Sequence, residues 1–248
     1  LWAAGYGDTP GEQERHIRTS RWLALAILPL LVVAHSTLGF VFGSQVGRPG
    51  WFSALQAPAF VGMAGVSGIG LLIIVAALMR HALRLEEQLN ADVFRWLGNF
   101  LCVLTAFYLY LLIVEMLTAT YAAGLHEAAV SRALLKGEYA GLFWVSAFSL
   151  IIPFVILFVQ FAAGRYSIPL TVLAGLLVNV AAVGRRYLII VVPSQTHGQV
   201  LPYLSGWYSP TWVEYAIILG LFALGTFLYV VFIKVFPIME LPRKSHGG

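Results

Sequence analysis

The chain alternates long apolar runs with short polar breaks, and the runs have the length of a membrane crossing. A helix needs roughly 20 apolar residues to cross about 30 Å of hydrocarbon. Six runs qualify: Trp22 to Phe42, Ala57 to Met79, Phe94 to Tyr121, Gly141 to Ala163, Ile168 to Val192 and Trp212 to Phe236. Prolines stand at many of the breaks (Pro49, Pro58, Pro169, Pro193, Pro210 and Pro237), as expected of helix ends. Pro29 and Pro153 fall inside runs, so they should kink their helices and leave carbonyls for a neighbouring helix or a water to satisfy. The pattern predicts an all-α fold, a polytopic membrane helix bundle with six transmembrane helices. Residues 1–21 read as a cytoplasmic loop or broken connection, 22–238 as the membrane domain and 239–248 as a cytoplasmic tail.

Composition removes the soluble alternative. Of 248 residues, 60% are hydrophobic and only 10% charged, with mean hydropathy +0.84. A soluble domain carries about 25% charged residues, so this surface is built for lipid. Lys and Arg set the orientation. With the N-terminus inside, the inner segments hold Arg15, Arg18, Arg21, Arg80, Arg84, Arg95, Arg165, Lys234, Arg243 and Lys244. The outer ones hold Arg48, Arg132 and Lys136, with Arg185 and Arg186 near a helix end. Both termini are therefore expected in the cytoplasm, with 43–56, 122–140 and 193–210 as outer loops. The last of these has no charged residue and reads equally as a docking surface or as an interfacial Trp/Tyr loop. The opening segment is polar and Gly-rich, unlike a signal peptide. The net charge of +4 is spread over loops and marks no nucleic-acid surface. The single cysteine, Cys102, can build neither a disulfide framework nor a thiolate cluster.

Candidate chemistry lies in the few polar groups inside the apolar runs. An ionisable group at mid-bilayer costs about 2.5–3.5 kcal/mol on insertion scales, so each one invites a functional reading. At 1.5 Å per residue, His35 lies about 21 Å from the inner end of its helix, Glu115 about 30 Å along its own and Arg186 about 27 Å. Glu214 starts the sixth helix from the outer side. All four fall in the outer half. Around the fifth helix, Gly175, Asn179, Ala182 and Arg186 form one small-and-polar stripe suited to close packing. This facing makes Arg186 the buried cation and leaves Arg185 to snorkel to the headgroups. Tyr108, Glu115 and Thr118 share a face of the third helix, so Glu115 is the expected counter-ion of Arg186, or a proton carrier near His35. The structural alternative pairs Glu115 with an arginine, ties His35 to a backbone carbonyl and titrates nothing. The Gly-rich patch GMAGVSGIG (Gly62 to Gly70) lacks a phosphate-loop context and reads as helix packing through Gly62, Gly65, Ser67 and Gly68.

Several longer strings carry a resemblance. PLLVVAHSTLGFVFGSQVGRPGWFSALQAPAFVGMAGVSGIGLL, with its His-Ser, Pro-Gly-Trp and Pro-x-Phe elements, YLYLLIVEMLTATY with its intramembrane glutamate, RRYLIIVVPSQTH and SPTWVEYAIILGLFALGTFLYVVFIKVFPI together resemble the NrfD/PsrC-like family over most of residues 20 to 238. The resemblance implies the integral-membrane subunit of a quinone-linked redox complex, as in polysulfide reductase or alternative complex III. Such a subunit exchanges electrons between menaquinone or ubiquinone and a partner ferredoxin-like iron–sulfur subunit on the outer face. It carries no haem or metal of its own, and some complexes are proposed to translocate protons. The resemblance further implies a bacterial inner-membrane location and admits a multihaem cytochrome c, a molybdopterin subunit or a second NrfD-like subunit as partners. Family members have eight to ten helices in two four-helix bundles. Six helices are therefore expected to be the C-terminal portion, a four-helix bundle plus flanking helices. His35, Glu115, Arg186, Glu214, Asn179 and Tyr108 are then candidates for a quinone site or a proton path. The alternatives are a secondary or proton-coupled carrier and a purely structural membrane anchor.

Overall fold

The computed structural model describes residues 10–121, 124–195 and 209–235. These form seven helices: α1 (Pro10–Gly43), α2 (Gln56–Ala82), α3 (Ala91–Tyr121), α4 (Leu125–Lys136), α5 (Ala140–Ala163), α6 (Ile168–Gln195) and α7 (Trp212–Val235). All but α4 contain a segment long and apolar enough to cross a membrane, so the chain is a multi-pass membrane protein. No strand occurs among the described residues.

The chain divides into two units. One, Leu28–Trp207, holds the second half of α1 and helices α2 to α6. The other, Leu1–Ile27 with Tyr208–Gly248, holds the first half of α1 and α7. Along α7 the apolar side chains from Trp212 to Phe232 are exposed, as suits side chains that face lipid.

In the larger unit, α2, α3, α5 and α6 pack into a bundle in which α6 touches all three of the others and α4 as well. Its core is a column of Val66, Ile73, Leu101, Leu150, Ala174 and Val178, none of them exposed. Helices in lipid gain little from hydrophobic association and rely on close backbone approach. That approach is tightest between α2 and α6. A Cβ on Gly175 would lie 2.8 Å from the Gly70 carbonyl oxygen, and one on Gly70 would lie 2.6 Å from Val178. Gly62 and Gly65 face α3 through Tyr108 and Leu104, while Gly68 faces open space. Asn90 caps α3, accepting from the N–H groups of Asp92 and Val93.

Three features depart from the sequence expectation. Helix α1 begins at Pro10, so much of the polar segment read as a loop is helical. Its proline at the first helical position and the Glu14–Arg18 spacing of four favour that conformation. The segment 122–140, expected as an outer loop, contains α4, a twelve-residue amphipathic helix that buries Val130, Ser131 and Leu134 on one face. Finally, α6 does not stop at Pro193 but continues to Gln195. A proline there deprives the carbonyl four residues earlier, that of Ile189, of its helical donor. The indole N–H of Trp51 donates to that carbonyl at 2.5 Å and ties the 44–55 connection onto α6. Most of the segment 193–210, expected as an outer loop, and the whole of 239–248, expected as a cytoplasmic tail, lie outside the described residues.

Candidate functional site

The polar centre of the bundle joins α3 to α6. Tyr108 and Glu115, seven residues apart on α3, differ by only about 20° in facing. Arg185 of α6 reaches both. Its Nη2 donates to Glu115 Oε2 at 2.6 Å, and its Nε donates to the Tyr108 hydroxyl at 3.2 Å. Arg185 is 3% exposed and Glu115 18%, so the pair is largely shielded. Both charges are compensated, which is the condition for keeping them out of water.

This geometry reverses the expected division of labour between the arginines. Arg185 does not snorkel; it is the buried partner of Glu115. Arg186 makes no ion pair with Glu115; its guanidinium lies over the Phe60 ring of α2, 3.9 Å from the centroid. Helical facing separated the two correctly by about 100°. Helix α6 has more than one buried face. Because α6 is packed against α2 on one side and α3 on another, both directions point inward. The stripe of Gly175, Asn179 and Arg186 is nevertheless a packing face, turned to α2. Asn179 donates to the Gly175 carbonyl at 2.8 Å and presses on Gly70.

The remaining candidates fall elsewhere. His35 is half-buried, with Nδ1 2.8 Å from the Leu31 carbonyl oxygen of its own helix. Glu214 belongs to the other unit, where it accepts from the backbone N–H and hydroxyl of Thr211 at 2.5 and 3.1 Å, the capping-box arrangement at the start of α7.

Sequence reasoning missed two contributors. A cavity of about 80 Å³ adjoins the ion pair, lined by Glu115 and Thr118 from α3, Arg185 from α6, Ser53 and Gln56 from the chain entering α2, and Glu127 and Ser131 from α4. Gln56 is 2% exposed, and Ser131 bonds Thr120 across the α3–α4 corner at 3.0 Å. The apolar i, i+3, i+4 spacing of Val130, Ala133 and Leu134 was the available signal for α4.

Residues 13–198 match the family described as "Polysulphide reductase, NrfD". The chain belongs to the NrfD family. Similar members include a protein of Halobacterium salinarum provisionally named as a membrane subunit of dimethyl sulfoxide reductase, 27% identical over 97% of this chain and 58% of the relative. A selenate reductase subunit of Mesobacillus selenatarsenatis is 26% identical over 94% of this chain and 55% of its own length. The Hdr-like menaquinol oxidoreductase integral membrane subunit of Archaeoglobus fulgidus is 26% identical over 92% and 60%. This NrfD chain thus spans 55 to 60% of the length of these relatives. The NrfD match extends from α1 through the whole of α6, so it includes Tyr108, Glu115 and Arg185.

Proposed function

We propose that this NrfD chain is the membrane subunit of a quinone-linked redox complex and that Glu115 is its proton-handling group. The redox part of the reading is supported by the relatives. They are named as a membrane subunit of dimethyl sulfoxide reductase, a subunit of selenate reductase and an integral membrane subunit of a menaquinol oxidoreductase. In this reading, menaquinone or ubiquinone exchanges electrons with a partner ferredoxin-like iron–sulfur subunit, and quinone oxidation or reduction requires protons to be given up or taken. The observation that carries the site is the Arg185–Glu115 ion pair, braced by Tyr108 and opening onto a cavity. Arg185 holds Glu115 in place, and the cavity gives the carboxylate access to water.

Two spaces lie beside the arginines. One measures about 80 Å³, and the one between Phe60, Tyr108 and the two arginines about 10 Å³. At about 10–15 Å³ per water, these take several waters and about one.

Replacing Glu115 by Gln in the assembled complex tests the reading. The amide keeps a hydrogen-bonding side chain beside Arg185 but cannot ionise, so quinol-linked turnover should fall sharply while the complex still assembles. Unchanged turnover would leave the second reading, a structural anchor. That reading is favoured by the side chains of His35, Thr105, Ser146, Thr171 and Asn179, which bond to carbonyls of their own helices or the preceding turn.

A further inference from the structure

The cavity beside the ion pair has a second carboxylate on its wall. Glu127 stands in the first turn of α4, half-buried, on the same face as Val130, Ser131 and Leu134. The charged groups facing this space are Glu115 from α3, Arg185 from α6 and Glu127 from α4; the segment entering α2 contributes only the neutral Ser53 and Gln56. Arg185 is already engaged with Glu115 and Tyr108. The volume holds several waters, and the hydroxyls of Thr118, Ser131 and Ser53 supply the polar partners that ordered water needs.

Toward the rest of the bundle the ion pair meets only the one-water space between Phe60, Tyr108 and the two arginines, and then closed packing. Below Tyr108 lie Thr105, Leu101, Val66 and Val178 with no exposure, and Thr105 donates its hydroxyl to the Leu101 carbonyl at 2.7 Å. Polar contact between Glu115 and water is thus available at the α4 end of the bundle.

We infer that Glu127 is the proton-transfer residue that connects Glu115, through water in this cavity, to the aqueous phase at the α4 end. The inference rests on the proposed proton-handling role of Glu115. The Glu115 carboxylate first takes up a proton released by quinol oxidation; a cavity water then accepts that proton and passes one to the Glu127 carboxylate, and Glu127 releases it to bulk water. One proton moves, each carboxyl returns to its starting state, and uptake is the reverse. With the N-terminus in the cytoplasm, the α4 end is the outer face.

The test uses the assembled complex, with quinol-linked turnover and its solvent deuterium isotope effect measured for Glu115→Gln, Glu127→Gln and Glu127→Asp. Glu127→Gln should slow turnover about ten-fold, below the ~10²–10⁴ range of a group acting directly on reacting atoms. It should raise the isotope effect, and added acetate or azide should restore the rate in proportion to concentration, since a small weak acid can enter and replace a proton carrier. Glu127→Asp should retain most activity. Thr118→Leu, which fills the cavity and leaves both carboxylates, should slow turnover without rescue. If Glu115→Gln abolishes turnover but Glu127→Gln changes neither rate nor isotope effect, the assignment of Glu127 is wrong and Glu115 stands. A slow Glu127→Gln complex that weak acids do not rescue, or full activity in Thr118→Leu, likewise overturns it. Full activity in Glu115→Gln removes the underlying reading instead.

Discussion

Arg185 and Glu115, 70 residues apart in sequence, meet at 2.6 Å across the α3–α6 interface. Removing one member of a buried pair leaves a charge without compensation, at about 3–5 kcal/mol. Arg185→Ala should therefore lower the unfolding free energy in detergent by about that amount. The double variant Arg185→Met/Glu115→Leu should be less destabilised than either single one, because no unpaired charge remains. An additive double variant would show that the two side chains are not coupled.

The neighbouring arginine gives an internal comparison. Arg186 loses only its stacking on Phe60 when truncated, an interaction of about 0.5–2 kcal/mol. Arg186→Ala should thus be clearly more stable than Arg185→Ala in the same thermal melt. The opposite order would restore the assignment expected from helical facing alone.

Pro193 and Trp51 form a third testable couple. Trp51→Phe removes the donor to the Ile189 carbonyl and leaves a shielded acceptor unpaired, at about 1–3 kcal/mol. Pro193→Ala restores a backbone N–H to that carbonyl. In the Pro193→Ala background, Trp51→Phe should cost measurably less, and equal cost in both backgrounds would refute the link.

The α2–α6 crossing separates glycines that look alike in the sequence. Gly175→Ala places a methyl 2.8 Å from a backbone oxygen that cannot rotate away, so overpacking of about 1–3 kcal/mol is expected. Gly68→Ala meets nothing within 4 Å and should be neutral or slightly stabilising. Comparison of the two melting temperatures decides it.

Arg84 follows α2 with φ of 53°, a left-handed conformation that costs a side-chain-bearing residue about 1–2 kcal/mol. Arg84→Gly should raise stability by somewhat less than this, because glycine loses more chain entropy on folding. Arg84→Lys, which keeps charge and strain, should change nothing; a gain there equal to that of Arg84→Gly would show that relief of backbone strain is not the cause.

Much of the architecture was legible because lipid makes a single demand of a crossing segment. Each must be apolar for about 20 residues, and each must satisfy its own backbone as a helix. Trp212 to Phe236 and Gly141 to Ala163 could be read as helices for that reason, before any partner was known. The same reading located Glu115 and the two arginines as costly groups, since cost depends on the residue and its depth. It also placed Tyr108 and Glu115 on one face, because seven residues bring a helix nearly back to its starting angle.

What the sequence could not decide was what lies opposite each face. Period and depth describe one helix, whereas the choice between Arg185 and Arg186 depends on how many neighbours α6 has. The tertiary structure surrounds α6 with α2, α3, α4 and α5, so two directions about 100° apart both lead into protein. It also brings α4, too short and too polar to register as a span, over the ion pair with Glu127 on the cavity wall. It lets α6 pass Pro193 by supplying the Trp51 indole from the segment between α1 and α2. Local sequence determines where a helix can exist in lipid. Which of its polar groups find partners is set by packing between segments distant along the chain.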